Sequence, residues 1–123
     1  MTTLLDVERM IPAGATQREL LDALDRVDLP PEQDFLRHSM RVLIADVCHV
    51  ADPPLNDIAA YLAAAPPLKH RASKLVAWSA VWPELRIEHL PGLISELEAH
   101  HNDPVCADWA RLARRVLDRA DHR

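Results

Sequence analysis

The chain has 123 residues, nearly half of them apolar, and a formal net charge of −5. That length gives one domain with a buried core, and that composition excludes a disordered chain. The mild acidic excess speaks against a general nucleic-acid binder but leaves room for a local basic patch.

Ten prolines against two glycines set the architecture. Pro12, Pro30-Pro31, Pro53-Pro54, Pro66-Pro67, Pro83, Pro91 and Pro104 fall between apolar segments of helical period. Proline is tolerated in the first turn of a helix and excluded from its interior, so these positions punctuate helices. No stretch is rich in β-branched residues and bounded by glycine turns. The pattern predicts an all-α protein.

In chain order, residues 1–15 form a lead-in, with a short helix over 2–10 that turns Leu4, Leu5 and Val7 inward. Thr16 and Glu19 make a capping box that opens a helix over 16–27, burying Leu20, Leu21, Leu24 and Val27. A longer helix over 31–51 follows, with Leu36, Met40, Leu43, Val47 and Val50 inward. Asp52 is positioned to cap a helix over 53–64 carrying Ile58, Tyr61 and Leu62. Residues 68–82 predict a helix with Ala72, Leu75, Val76 and Ser79 on one face, Pro83 ends it, and a loop leads to Leu90. Trp78 and Trp82 do not both fit one narrow buried stripe.

From Leu90 the pattern is clearest. A helix opening at Pro91 buries Leu93, Ile94 and Leu97. Asp103 then serves as N-cap and Pro104 takes the first helical position, where its missing N–H costs nothing. Val105, Trp109, Leu112, Val116 and Ala120 recur at helical spacing, Cys106, Ala110, Ala113 and Leu117 widen the face, and Trp109 reads as core.

The segments repeat. Leu20 and Leu24, Ile58 and Leu62, and Leu93 and Leu97 hold equivalent places in three first helices, with 38 residues from Leu20 to Ile58 and 35 from Ile58 to Leu93. Each is followed, after a proline-containing break, by a second helix. Three hairpins of this period, over 16–51, 52–83 and 90–120, resemble HEAT-like repeats. The resemblance implies a short right-handed α-solenoid, in which stacked hairpins bury one continuous core and leave an extended surface. An irregular helical bundle is the alternative architecture.

Gly14 and Gly92 cannot supply a phosphate-cradling glycine loop, and none of the serines sits in a nucleophile elbow. Asp46-x-x-His49 and Glu98-x-x-His101 each put a carboxylate three residues before a histidine, the pattern that di-iron helical bundles use. Asp22 or Asp25 and Asp108 would have to complete such a site, and one motif carries Asp in place of Glu. The competing reading is of a core-helix border at Asp46 and His49, and of His100 and His101 offsetting a helix C-terminus. Cys48 and Cys106 lack the close ligand spacing of a zinc site and read as small apolar side chains in a reduced protein. No catalytic group, metal or cofactor is expected. Neither a signal peptide nor a membrane span is expected, and the predicted compartment is the cytoplasm.

Charge is the remaining signal. First helices lean acidic, whereas second helices carry Arg37 and Arg41, then Lys69, Arg71 and Lys74, then Arg111, Arg114, Arg115 and Arg119. In a solenoid these form a basic strip, joined by Trp78 on the face of Arg71 and Lys74, suited to an acidic or aromatic partner. The plainer alternative is a solvated face. The sequence thus predicts a non-catalytic protein-interaction module, an adaptor, inhibitor or small subunit, whose partner is another protein with an acidic surface. A nucleic-acid- or phosphate-binding subunit using the same strip, and a di-metal bundle enzyme, are the alternatives.

Overall fold

A computed structural model describes residues 1–121, with side chains through Arg119. Among the described residues there is no strand, and no helix is long and apolar enough to cross a membrane. The helices are α1 (Leu4–Met10), α2 (Gln17–Asp25), α3 (Asp34–Val47), α4 (Leu55–Ala63), α5 (Leu68–Val81), α6 (Leu85–Ala99) and α7 (Pro104–Asp121). A 3-10 turn over Pro31–Gln33 leads into α3. The chain divides into two compact units, Met1–Ala65 and Pro66–Arg123, and the boundary falls within the hairpin expected over 52–83.

In the first unit each helix packs on the next along the chain. Thr16 accepts from the Glu19 amide while Glu19 accepts from the Thr16 amide, the reciprocal box read from the sequence. Thr3 and Asp6 repeat it at α1. The Thr16 amide, ahead of the Thr16 hydroxyl, holds the Glu19 carboxyl below the usual carboxylate range. Val7, Leu20, Ala23, Leu24, Val27, Met40 and Ile44 form one buried cluster.

The helix expected over 31–51 is shorter at both ends. Its C-terminus is a Schellman turn: His49 donates to Asp46 O and Val50 donates to Ala45 O, both at 3.0 Å, with His49 in the left-handed region at φ 56°. Glycine is the usual residue there, because it has no Cβ to crowd the carbonyl. Asp52 does not cap α4. Pro54 occupies that position without a side-chain cap bond. Ala65 ends α4 with φ 52°, donating to Leu62 O at 3.1 Å. Pro66 follows without an N–H, so the second bond of a Schellman turn cannot form.

In the second unit α5, α6 and α7 all pack on one another. The expected face of α5 is correct, with Ala72, Leu75, Val76 and Ser79 buried. Trp78 and Trp82 are both buried, against expectation. Trp82 escapes the stripe limit because it lies past the helix end in extended backbone, at φ −117° and ψ 94°. The expected loop before Leu90 is helical, and Pro91 sits inside α6 instead of opening it. Interior proline loses one hydrogen bond and costs about 3 kcal/mol. Burial of Leu85 and Leu90 in the preceding turns, each contributing about 2 kcal/mol, offsets that cost. Leu93, Ile94 and Leu97 are buried as expected.

Two substitutions test these helix ends and interiors by urea denaturation. His49→Gly relieves the left-handed strain and should stabilise the protein by about 0.5–1 kcal/mol, with no change in helix content. Gly92 lies in α6, exposed, with no atom within 4 Å of an added Cβ. Gly92→Ala should therefore stabilise by roughly 0.5–1 kcal/mol, and a lower midpoint would contradict this placement of Gly92 in the helix.

Candidate functional site

The arginines predicted to form a binding strip have mostly intramolecular partners. Arg37 donates from its two terminal nitrogens to Leu24 O and Val27 O, both at 2.6 Å, and so clamps the end of α2. Arg41 reaches Asp25 at 2.7 Å, and Arg71 reaches Glu96 at 2.7 Å, joining α5 to α6. Arg111 pairs with Asp108 one turn back. Arg114 donates to both oxygens of Glu98 at 2.7 Å. Trp78, with 4% of its surface exposed, offers nothing for an incoming partner to grip. Among the described residues Lys74, Arg115 and Arg119 have no ion pair. Lys74, after burial, helps hold the His70 imidazole below its usual pKa.

The two carboxylate–histidine motifs do not lie on helical faces. His49 is past the end of α3 in the left-handed region, and His101 is past the end of α6. Asp46 and His49 belong to the first unit, Glu98 and His101 to the second, and Arg114 engages Glu98. No three His, Cys, Asp or Glu side chains group closely enough to hold a metal ion among the described residues.

The corner between α6 and α7 is built as the sequence dictates. Asp103 Oδ1 accepts from the Val105 amide at 2.9 Å, and Asp103 Oδ2 meets Lys69 Nζ at 2.8 Å. The Lys69 ammonium and then the Val105 amide keep the Asp103 carboxyl below the usual carboxylate range, and Asp103 in turn raises Lys69. Beside it is an open cleft of about 330 Å³ lined by Pro67, Leu68, Lys69, His100, Asp103 and Cys106. Its charged pair is already matched, and Cys106 is buried in the helix packing.

The feature that stands out is α7 itself. Its buried residues are Cys106, Ala110, Ala113 and Val116, so the contact line is rotated from the stripe expected through Trp109. Small side chains occupy the line along which α5 and α6 approach. The bulkier Val105, Trp109 and Leu112 are displaced to one flank. Val105 is 45% exposed, Leu112 is 40% exposed and Trp109 between them is half-buried. Ala120, expected on the same face, has its side chain outside the described residues. The three lie at i, i+4 and i+7, one continuous apolar line. Leu5, Leu55, Val81 and Ile87 are exposed as well, each on a different helix or helix end from the α7 line. Arg115 and Arg119 follow Leu112 at i+3 and i+7, which sets them along one edge of the line. Sequence reasoning placed Val105 and Leu112 inside the protein. Size is part of the signal, since close helix packing favours small residues such as Cys106, Ala110 and Ala113, although Val116 is buried and Val105 is not.

Arg37 and Arg115 should therefore behave differently when truncated. Arg37→Ala removes two charge-assisted bonds from half-buried carbonyls and should destabilise by about 2 kcal/mol in chemical denaturation. Arg115→Ala should leave the midpoint unchanged. Equal midpoints for both variants would mean that the Arg37 clamp does not stabilise the first unit.

No protein family, curated protein or solved structure matches this chain.

Proposed function

We propose that this chain is a non-catalytic protein-interaction module and that the outer line of α7 is its docking surface. One observation carries the reading: Val105, half-buried Trp109 and Leu112 run as one line, exposed at both ends, along the flank of a helix whose neighbouring face, Cys106, Ala110, Ala113 and Val116, is packed. A row of this kind, with an aromatic residue at its centre, is the composition of an interface core, and it gains from being covered. Tryptophan contributes disproportionately at such surfaces because it buries a large area with few rotatable bonds.

The reading includes an architecture, a short right-handed HEAT-like solenoid of hairpins. The packing of α2 on α3 and of α6 on α7 as consecutive antiparallel neighbours supports it for the first and third hairpins. So does the burial of Leu20, Leu24, Ile58, Leu93 and Leu97 at the repeated positions. Solenoids of paired helices serve mainly as extended binding surfaces.

Leu112→Asp puts a charge in the middle of the line without touching the packed side. The variant should keep wild-type helix content and melting behaviour. The test is tagged expression in the native cell with stoichiometric recovery of bound protein. The wild type and the control Ile87→Asp should retain the same partner, and Leu112→Asp should lose at least nine-tenths of it. Retention unchanged by Leu112→Asp, or no stoichiometric partner with the wild type, would sink the proposal.

A further inference from the structure

We infer that the occupant of this surface is an acidic amphipathic helix of a partner protein, its apolar ridge on Val105, Trp109 and Leu112 and its carboxylates on Arg115 and Arg119. The inference rests on the docking reading above and adds the chemistry of the partner.

Shape argues for a helix. Val105 to Leu112 spans two turns, about 10 Å, and the line is one side chain wide. α7 is hydrogen-bonded along its own length and offers no free strand edge, so recognition runs through side chains alone. A ridge of residues at i, i+4 and i+7 on a second helix fits such a line, as ridges seat in grooves in helix packing.

Charge argues for acidity. Arg111 is held by Asp108 and Arg114 by Glu98, whereas Arg115 and Arg119 have no ion pair among the described residues. They stand one turn apart, on the edge of the line away from the core. Their adjacency along one edge, in a chain of net charge −5, is a local feature and not a reflection of bulk charge. Nucleic acid is disfavoured because the contact line between the cations and the core is apolar and carries no phosphate-binding groups.

The test uses the full chain, isotopically labelled, and three synthetic 18-residue peptide helices. One has leucines at i, i+4, i+7 and i+11 with glutamates flanking them. The second has lysines for the glutamates, and the third has serines for the leucines. The glutamate peptide should shift the Trp109 indole signal and the amides of α7, binding at least about tenfold more tightly than either of the others. Arg115→Glu combined with Arg119→Glu should reverse the order of the glutamate and lysine peptides. Equal binding of those two, or an order unaffected by the double substitution, overturns the inference. So does a concentration-dependent dimer, in sedimentation, that Leu112→Asp abolishes, because the occupant is then this chain itself. If the glutamate peptide fails while Leu112→Asp still abolishes capture of the native partner, the acidic helix is wrong and the docking surface stands. If Leu112→Asp also leaves capture unchanged, both fall.

Discussion

A helix leaves its last four carbonyls without intrahelical partners, and a chain with two glycines has few of the residues that ordinarily close such an end. Much of this structure follows from how those carbonyls are satisfied. The end of α2 is closed from outside by Arg37, which bonds Leu24 O and Val27 O. The end of α5 is closed in the same manner by Arg86, a buried side chain whose Nε donates to Ser79 O at 3.0 Å. The ends of α3 and α4 are closed by His49 and Ala65 in conformations that suit glycine better. Proline supplies the stops, and arginine and local strain supply the caps.

That solution determines which charges are available for anything else. A guanidinium bonded to two carbonyls is a structural element, and removing it exposes acceptors that water cannot easily reach. Arg71 and Arg114 are engaged differently, through carboxylates on α6, and tie the three helices of the second unit together at their rims. Exposed pairs of this type contribute little each, and their effect is to fix helix register more than to add stability. Once these positions are set aside, the basic strip reduces to Lys74, Arg115 and Arg119. Two of the three lie on α7 beside the apolar line.

The sequence made the local signals legible and left the collective ones obscure. Thr16 with Glu19, and Asp103 with Pro104, announce helix starts because capping involves only neighbours within one turn. The buried face of α5 was legible because Ala72, Leu75, Val76 and Ser79 leave a single period to choose from. Pro91 misled, since its own preference against a helix interior is outweighed by leucines packing on either side of it, which only the assembled unit reveals. Trp82 misled because a residue past a helix end no longer obeys the helix's angular spacing. The candidate surface was hidden for a related reason: nine apolar residues on α7, from Val105 to Leu117, cover too wide an arc for hydrophobicity to say which half faces inward.

Packing resolves that arc, and the resolution bears on function. Two helices can lie close along α7 only where its side chains are small, so Cys106, Ala110 and Ala113 face the core and Val105, Trp109 and Leu112 are left outside. Were folding the only demand on α7, polar residues at 105 and 112 would serve it as well, because both are exposed. Leaving Val105, Leu112 and part of Trp109 in water forgoes about 25 cal/mol for each Å² left uncovered and invites nonspecific association. The adjacent Arg115 and Arg119 limit that association to surfaces able to offer carboxylates beside an apolar ridge, since a mismatched partner would strand two cations against its own apolar or basic groups. An apolar line supplies adhesion and its charged edge supplies selection, and on α7 the two are set within one helical turn of each other.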